Sequence, residues 1–241
     1  MIEFHALEMV APIRAQALSE AVRQCIEGMI FSAKIAPGEK LNEVHIAHHL
    51  GVSRGPVREA VRSLEATGWL VAKAQRGSFV RQVSVGEALD AFELRIELSS
   101  LIGRRAAKHA EDREIEKADS LIAEMEEANV AADSPRMFSL SYQFHEAILL
   151  MTRNDALRKA YLETFLLHRL FRIGILSREG HLNNAQVPVN RIAISGRRSF
   201  LAALHSRDPS KCGRAFEDYS RASKARAFES LCQSDESMRA V

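Results

Sequence analysis

The chain has 241 residues, enough for one large domain or two unequal ones. Apolar residues make up 46% and charged residues 27%, an ordinary globular balance that argues against a disordered or fibrous chain. The formal net charge is only +2, but residues 12–83 carry ten Lys/Arg against six Asp/Glu, while residues 84–241 carry 23 of each sign. A basic excess confined to the first third is the footprint expected of a module that faces nucleic acid. Cys25, Cys212 and Cys232 lie far apart with no CxxC pair, which argues against a disulfide framework and a zinc ribbon.

The opening "MIEFHALEMVAPIRAQ" places acids early and lacks the basic-then-apolar pattern of a signal peptide. No run of about 18 apolar residues occurs, so no membrane span is expected and the cytoplasm is the expected location. Residues 17–33 set Leu18, Val22, Ile26, Met29 and Ile30 at helical spacing. Pro37-Gly38 then marks a turn. Asn42 is placed to cap a short helix, "EVHIAHHL", which Gly51 ends. Ser53 is placed to cap the helix after it. Gly55 and Pro56 fall in that helix's first turn, where the missing proline N–H costs no intrahelical bond. Val57, Val61 and Leu64 form its inward stripe, and Arg54, Arg58 and Arg62 lie on another face. After Gly68 the period changes, and "WLVAK" and "SFVRQ" flank the tip "AQRG" as a hairpin.

Helix, short helix, turn, helix and hairpin is the order of a winged helix-turn-helix, assigned to residues 12–82. Ser84 and Glu87 fit a capping box that opens a second domain, 84–232. Helical spacing recurs there over about 86–109, 112–130, 135–152, 154–178, 188–206 and 209–232, with no convincing strand. The breaks include "EGHLNNAQVP" at 179–188. The expected fold is mainly α: three helices with a small β-hairpin, then an all-α bundle of six or seven helices.

A helix-turn-helix places the start of its second helix in the major groove. The planar fork of arginine matches O6 and N7 of guanine, which makes Arg54 and Arg58 the candidates for reading bases. Arg62, a turn further on, is a candidate for phosphate. Ser53, Gly55 and the free amides at the helix start suit phosphate as well. Arg76, beside Gly77 at the hairpin tip, is a candidate for the minor groove or its backbone. No GxSxG, GxGxxG, P-loop or HExxH is present, so no enzyme is expected.

The stretch "IAPGEKLNEVHIAHHLGVSRGPVREAVRSLEATGWLVAKAQRGSFV" closely resembles the winged helix-turn-helix of GntR-type bacterial transcription regulators, over about residues 17–81. The family often carries a DNA-contacting arginine where this chain has Val44; His45 and His48 lie nearby. The cluster His45, His48 and His49 reads as surface or phosphate-near rather than as a zinc site. The second domain resembles the FadR-type C-terminal domain through "FELRIELSSLIGRRAAKHA", "YQFHEAILLMTRNDAL" and "SFLAALHSRDPSKCGRAFEDY". That resemblance implies dimerisation and effector binding, in many members through a divalent metal held by one Asp and three His. Here those positions fall on Ser141, His145, Arg197 and Tyr219, so the metal is expected to be absent. Arg197 sets a fixed positive charge in its place. With Arg95, His145 and Tyr219 it is a candidate to hold a small carboxylate or phosphate-bearing metabolite; the alternatives are a degenerate pocket, or an internal counter-charge such as Glu97. The resulting expectation is a sequence-specific DNA-binding regulator, a repressor by the commoner mode. It would act as a homodimer on a pseudo-palindromic site in double-stranded DNA. The alternative is an effector-free regulator of the same kind.

Overall fold

In the first unit of the computed structural model, the core is built on three helices. Residues 3–31, 34–178 and 191–239 are described. Helix α1 (Glu3–Phe31) is longer than the spacing of residues 17–33 indicated, running back through Pro12. Val22, Ile26 and Ile30 are buried, whereas Leu18, expected in the same stripe, is exposed. Helix α2 (Glu43–Leu50) starts where Asn42 Oδ1 accepts the His45 N–H at 3.0 Å. It stops at Gly51, whose φ of +64° is the left-handed conformation glycine adopts without strain.

Helix α3 (Arg54–Ala66) buries Val57, Ala60, Val61 and Leu64. Ser53 occupies the cap position with extended backbone, yet its side chain makes no capping hydrogen bond, contrary to expectation. The reason lies in the sequence. The third helical residue, whose N–H a capping serine commonly engages, is Pro56, which has none.

Strands β1 (Leu70–Lys73) and β2 (Gly77–Val80) pair antiparallel, with Leu70 opposite Val80 and Lys73 opposite Gly77. The segment after the Pro37-Gly38 turn joins the other edge of β2. Leu41 N–H donates to Ser78 O at 2.9 Å, and Val80 N–H donates to Glu39 O at 2.9 Å. Trp69, buried between α3 and β1, meets Phe31 edge-on at 4.7 Å between ring centres. Ser78 Oγ donates to Glu65 Oε1 at 2.6 Å, so the hairpin is tied to α3 by a side chain as well as by packing.

The chain divides into two units, Met1–Gln82 and Val83–Val241. In the second, all described residues in regular structure are helical: α4 (Val85–His109), α5 (Asp112–Val130), α6 (Ser134–Met151), α7 (Asp155–Arg178), α8 (Arg191–His205) and α9 (Pro209–Arg239). The capping box is formed: Ser84 N–H donates to Glu87 Oε2 at 2.9 Å, and Glu87 N–H to Ser84 Oγ at 3.2 Å. The break read at 179–188 lies outside the described residues.

Helix α4 is the central element and touches α6, α7, α8 and α9. Its approach to α9 depends on glycine, because a Cβ on Gly103 would lie 2.3 Å from the Cys212 carbonyl oxygen. Around it Ile102, Ile122, Met125, Phe144, Phe200 and Phe216 are fully buried. Burial raises the Cys212 thiol to about 11, which makes it an inert packing group. Among the described residues, no helix is long and apolar enough to cross a membrane.

Candidate nucleic-acid interface and a buried cationic cluster

The outward side of α3 carries Ser53, Arg54, Gly55, Arg58 and Arg62, all exposed. They sit on a helix whose opposite side is anchored in the core, so their positions are set by Val57, Val61 and Leu64. Arg58 Nε lies 3.7 Å from Glu43 Oε2 on α2, and Arg62 Nη1 lies 2.9 Å from Glu59 Oε1. Exposed pairs of this kind are weak and easily exchanged for a phosphate or a base edge. Beside them on α2, Val44 is 55% exposed, an apolar side chain facing solvent. His45 and His49 stack at 6.3 Å between ring centres. Arg76 and Gly77 lie at the exposed hairpin tip, where Gly77 takes φ +91°. Lys73 Nζ sits 4.4 Å from the Phe79 ring centre and the Arg76 guanidinium 5.7 Å from it. The tip is therefore cationic.

In the second unit, Arg95, His145, Arg197 and Tyr219 come together, all nearly fully buried. The hydrogen-bond pattern fixes the His145 tautomer. Nδ1 lies 2.6 Å from the Ser141 carbonyl, which can only accept, so Nδ1 carries the proton. Nε2 is then the acceptor for Arg95 Nη2 at 3.3 Å and faces Tyr219 Oη at 3.4 Å. Burial holds the His145 pKa well below the ordinary histidine value, and the Arg95 and Arg197 guanidiniums depress it further.

Arg95 also donates from Nε to Tyr161 Oη at 3.1 Å and from Nη1 to His168 Nδ1 at 3.1 Å. The proton of neutral His168 is thereby placed on Nε2, which is buried and meets no hydrogen-bond partner among the described residues. Burial lowers the His168 pKa as well, followed by Arg95, Arg172 and Arg169. The partners of Arg95 are thus one phenol and two imidazoles. Glu97, considered as an internal counter-charge, is exposed and does not serve.

Arg197 Nη2 donates to Ser141 Oγ at 2.6 Å, and its guanidinium lies 5.2 Å from the Tyr219 ring centre and 5.7 Å from that of Phe144. Gly196 leaves room for this arrangement, since a Cβ there would come within 3.1 Å of the Tyr219 ring. The donor set does not fit a divalent ion. A guanidinium has no lone pair and repels the cation, and the free lone pair of His145 faces Arg95. Among the described residues, no three His, Cys, Asp or Glu gather as metal ligands.

Sequence reasoning missed Tyr161, His168 and Arg172 on α7. A signal was present: residues 161, 165, 168 and 172 share one face of that helix, and three of the four are polar where an apolar stripe is expected.

Comparison with known proteins agrees with both halves. The family described as "Bacterial regulatory proteins, gntR family" matches residues 18–80, and the FCD domain matches residues 90–222. The Nta operon transcriptional regulator of Aminobacter aminovorans is 34% identical over 131 residues, 54% of this chain and 62% of that protein. The HTH-type transcriptional repressor RspR of Escherichia coli (strain K12) is 26% identical over 133 residues, 55% of this chain and 58% of that protein. The chain thus spans about three fifths of the length of these relatives. Among solved structures, E. coli McbR/YncC superposes with a TM-score of 0.74 at 20% identity, covering 89% of this chain and 98% of that one; this likeness speaks to the fold.

Proposed function

The chain belongs to the GntR family of bacterial regulatory proteins, in the group that carries an FCD domain, and on that premise we propose that it is a repressor that binds a pseudo-palindromic operator as a homodimer and is modulated by a small anionic metabolite. The family is one of transcriptional regulators, not enzymes. The observation that carries the proposal is the row of exposed arginines on α3, held rigidly by a buried stripe and by the Ser78–Glu65 tie to the hairpin. In this reading Arg54 and Arg58 meet base edges. Arg62, Ser53 and the first-turn amides, that of Gly55 included, meet phosphate, and Arg76 beside Gly77 meets the minor groove or its backbone. Val44 cannot replace an arginine contact; an apolar side chain there suits a thymine methyl. The names of relatives such as RspR support repression. A two-fold dimer supports a two-fold site, because operator symmetry mirrors protein symmetry.

The effector part rests on the Arg95–His145–Arg197–Tyr219 cluster, where the buried Arg95 guanidinium meets one phenol and two imidazoles. An effector-free regulator is the rival reading, favoured by the Arg197–Ser141 hydrogen bond, which occupies the site from within. Selection of genomic fragments with the purified protein, followed by binding assays on the selected site, tests the DNA assignment. A defined site should emerge whose affinity falls steeply with salt. Recovery of unrelated fragments with no common sequence would count against it.

A further inference from the structure

Helix α2 is the first helix of the helix-turn-helix, the one that crosses the DNA backbone while the second enters the groove. Contacts with phosphate are ordinarily made by fixed cations, yet α2 contains no Lys and no Arg. Its outward side carries Val44, His45, His48 and His49, all exposed, over the buried Ile46 and Ala47. Val44 and His48 are four residues apart and share a face, as do His45 and His49. The His45 and His49 rings lie nearly parallel, 17° apart in plane and 6.3 Å between centres. The carboxylate of the helix, Glu43, is 3.7 Å from Arg58 on α3. Other charged groups nearby are Glu39 and Lys40 in the segment leading into α2, and Arg54, Glu59, Arg62 and Glu65 on α3, the helix packed against it. Carboxylates, ammoniums and guanidiniums ordinarily hold one charge from pH 6 to pH 8, whereas histidine changes its charge in that range.

We propose that His45, His48 and His49 are a second phosphate-contact surface of this domain, one that works only when protonated, so that the protein takes up protons from solvent as it binds DNA. The proposal rests on the reading of the first unit as a DNA-binding domain and adds α2 to its contact surface. A protonated imidazole donates from both nitrogens, and its bond to a phosphate oxygen is charge-assisted. Two imidazolium rings as close as those of His45 and His49 repel, and an anion beside them relieves the repulsion. A phosphate therefore favours the charged form, which raises the proton affinity of the bound state above that of the free one. The sign follows by linkage: the gain in affinity is complete at low pH and is lost as pH rises through the histidine range. Arg54 and Arg58 keep their charge throughout. Base reading is thus constant while backbone grip varies, and pH shifts affinity for every sequence alike.

The test is titration of a fluorescent mixed-sequence duplex with the full chain at pH 8 and pH 6, over a series of salt concentrations, with circular dichroism confirming the fold at both values. Affinity should rise about tenfold from pH 8 to pH 6, and the slope of log affinity against log salt should steepen by about two for a dimer. The His45→Gln/His48→Gln/His49→Gln variant should bind like the parent at pH 8 and gain little at pH 6. His48→Arg fixes one charge, so it should bind more tightly than the parent at pH 8 and depend less on pH. His205→Gln, a change to an exposed histidine on α8 of the second unit, should keep the parent's profile. Equal parent affinity and salt slope at the two pH values would overturn the proposal, and so would a triple variant that keeps the parent's pH dependence. Normal binding with a flat profile removes the histidine contact and leaves the DNA reading standing. Absence of binding to any duplex at either pH removes the DNA reading and the contact with it.

Discussion

At the scale of single residues, a few cations and the groups that face them set both the DNA-facing row and the buried cluster. Arg54 and Arg58 read bases in the proposed function, so replacing either by alanine should cost ~1–3 kcal/mol of operator affinity and relax the sequence preference at the contacted position. Arg62→Ala should weaken all DNA about equally and lower the slope of log affinity against log salt by about one, as a phosphate contact does. The Glu43–Arg58 pair is exposed and contributes little to stability, so Arg58→Ala should unfold at nearly the same temperature as the parent. In the second unit the buried histidines make stability depend on pH with a definite sign. Their folded pKa values are depressed, while the unfolded chain binds protons below about 6.5. The stability they confer is therefore complete above pH 6.5 and is lost as pH falls towards the depressed values. Urea midpoints measured from pH 8 to pH 5 should decline below about pH 6.5, and His145→Gln should flatten that decline.

At the scale of elements, close contact between helices gives a direct stability prediction. Gly103→Ala puts a methyl 2.3 Å from a backbone oxygen of α9, which cannot turn aside as a side chain can. The helices must part, and overpacking of this kind costs ~1–3 kcal/mol, read as a lower melting temperature. Local sequence chemistry made many element boundaries legible. Asn42, Gly51 and the Ser84–Glu87 box mark helix ends by the bonds they form, and all three operate as such. Ser53 shows where the same logic stops: the serine is right for a cap, but Pro56 three residues on removes a donor. The extension of α1 back to Glu3 carried no legible cap signal. The cationic cluster was half legible. Arg95, His145, Arg197 and Tyr219 could be named because a resemblance marked their positions, and the structure brings them together. His168 and Arg172 could not, because a polar residue on a helix face shows its depth only when the neighbouring helices are in place. Glu97 was misjudged for the same reason: its place on α4 turns it to solvent.

At the scale of the whole molecule, regulation requires two states that bind DNA and the effector with different affinities, and the coupling must be reciprocal. If a small anion releases the operator, operator DNA must weaken the anion by the same factor. Titrating the anion with and without a saturating operator fragment should show this. Unequal factors would mean that the two events are not linked through one equilibrium. Sedimentation should give twice the 26.9 kDa chain mass for the species that binds the operator. In the proposed function the arginine row on α3 is what this protein presents to DNA. The most direct test compares the parent with the Arg54→Ala/Arg58→Ala double variant on a selected operator and on a scrambled duplex of equal length. The double variant should melt like the parent, bind the scrambled duplex nearly as the parent does, and have lost its preference for the operator. A double variant that is equally folded and still discriminates the operator as the parent does would contradict it.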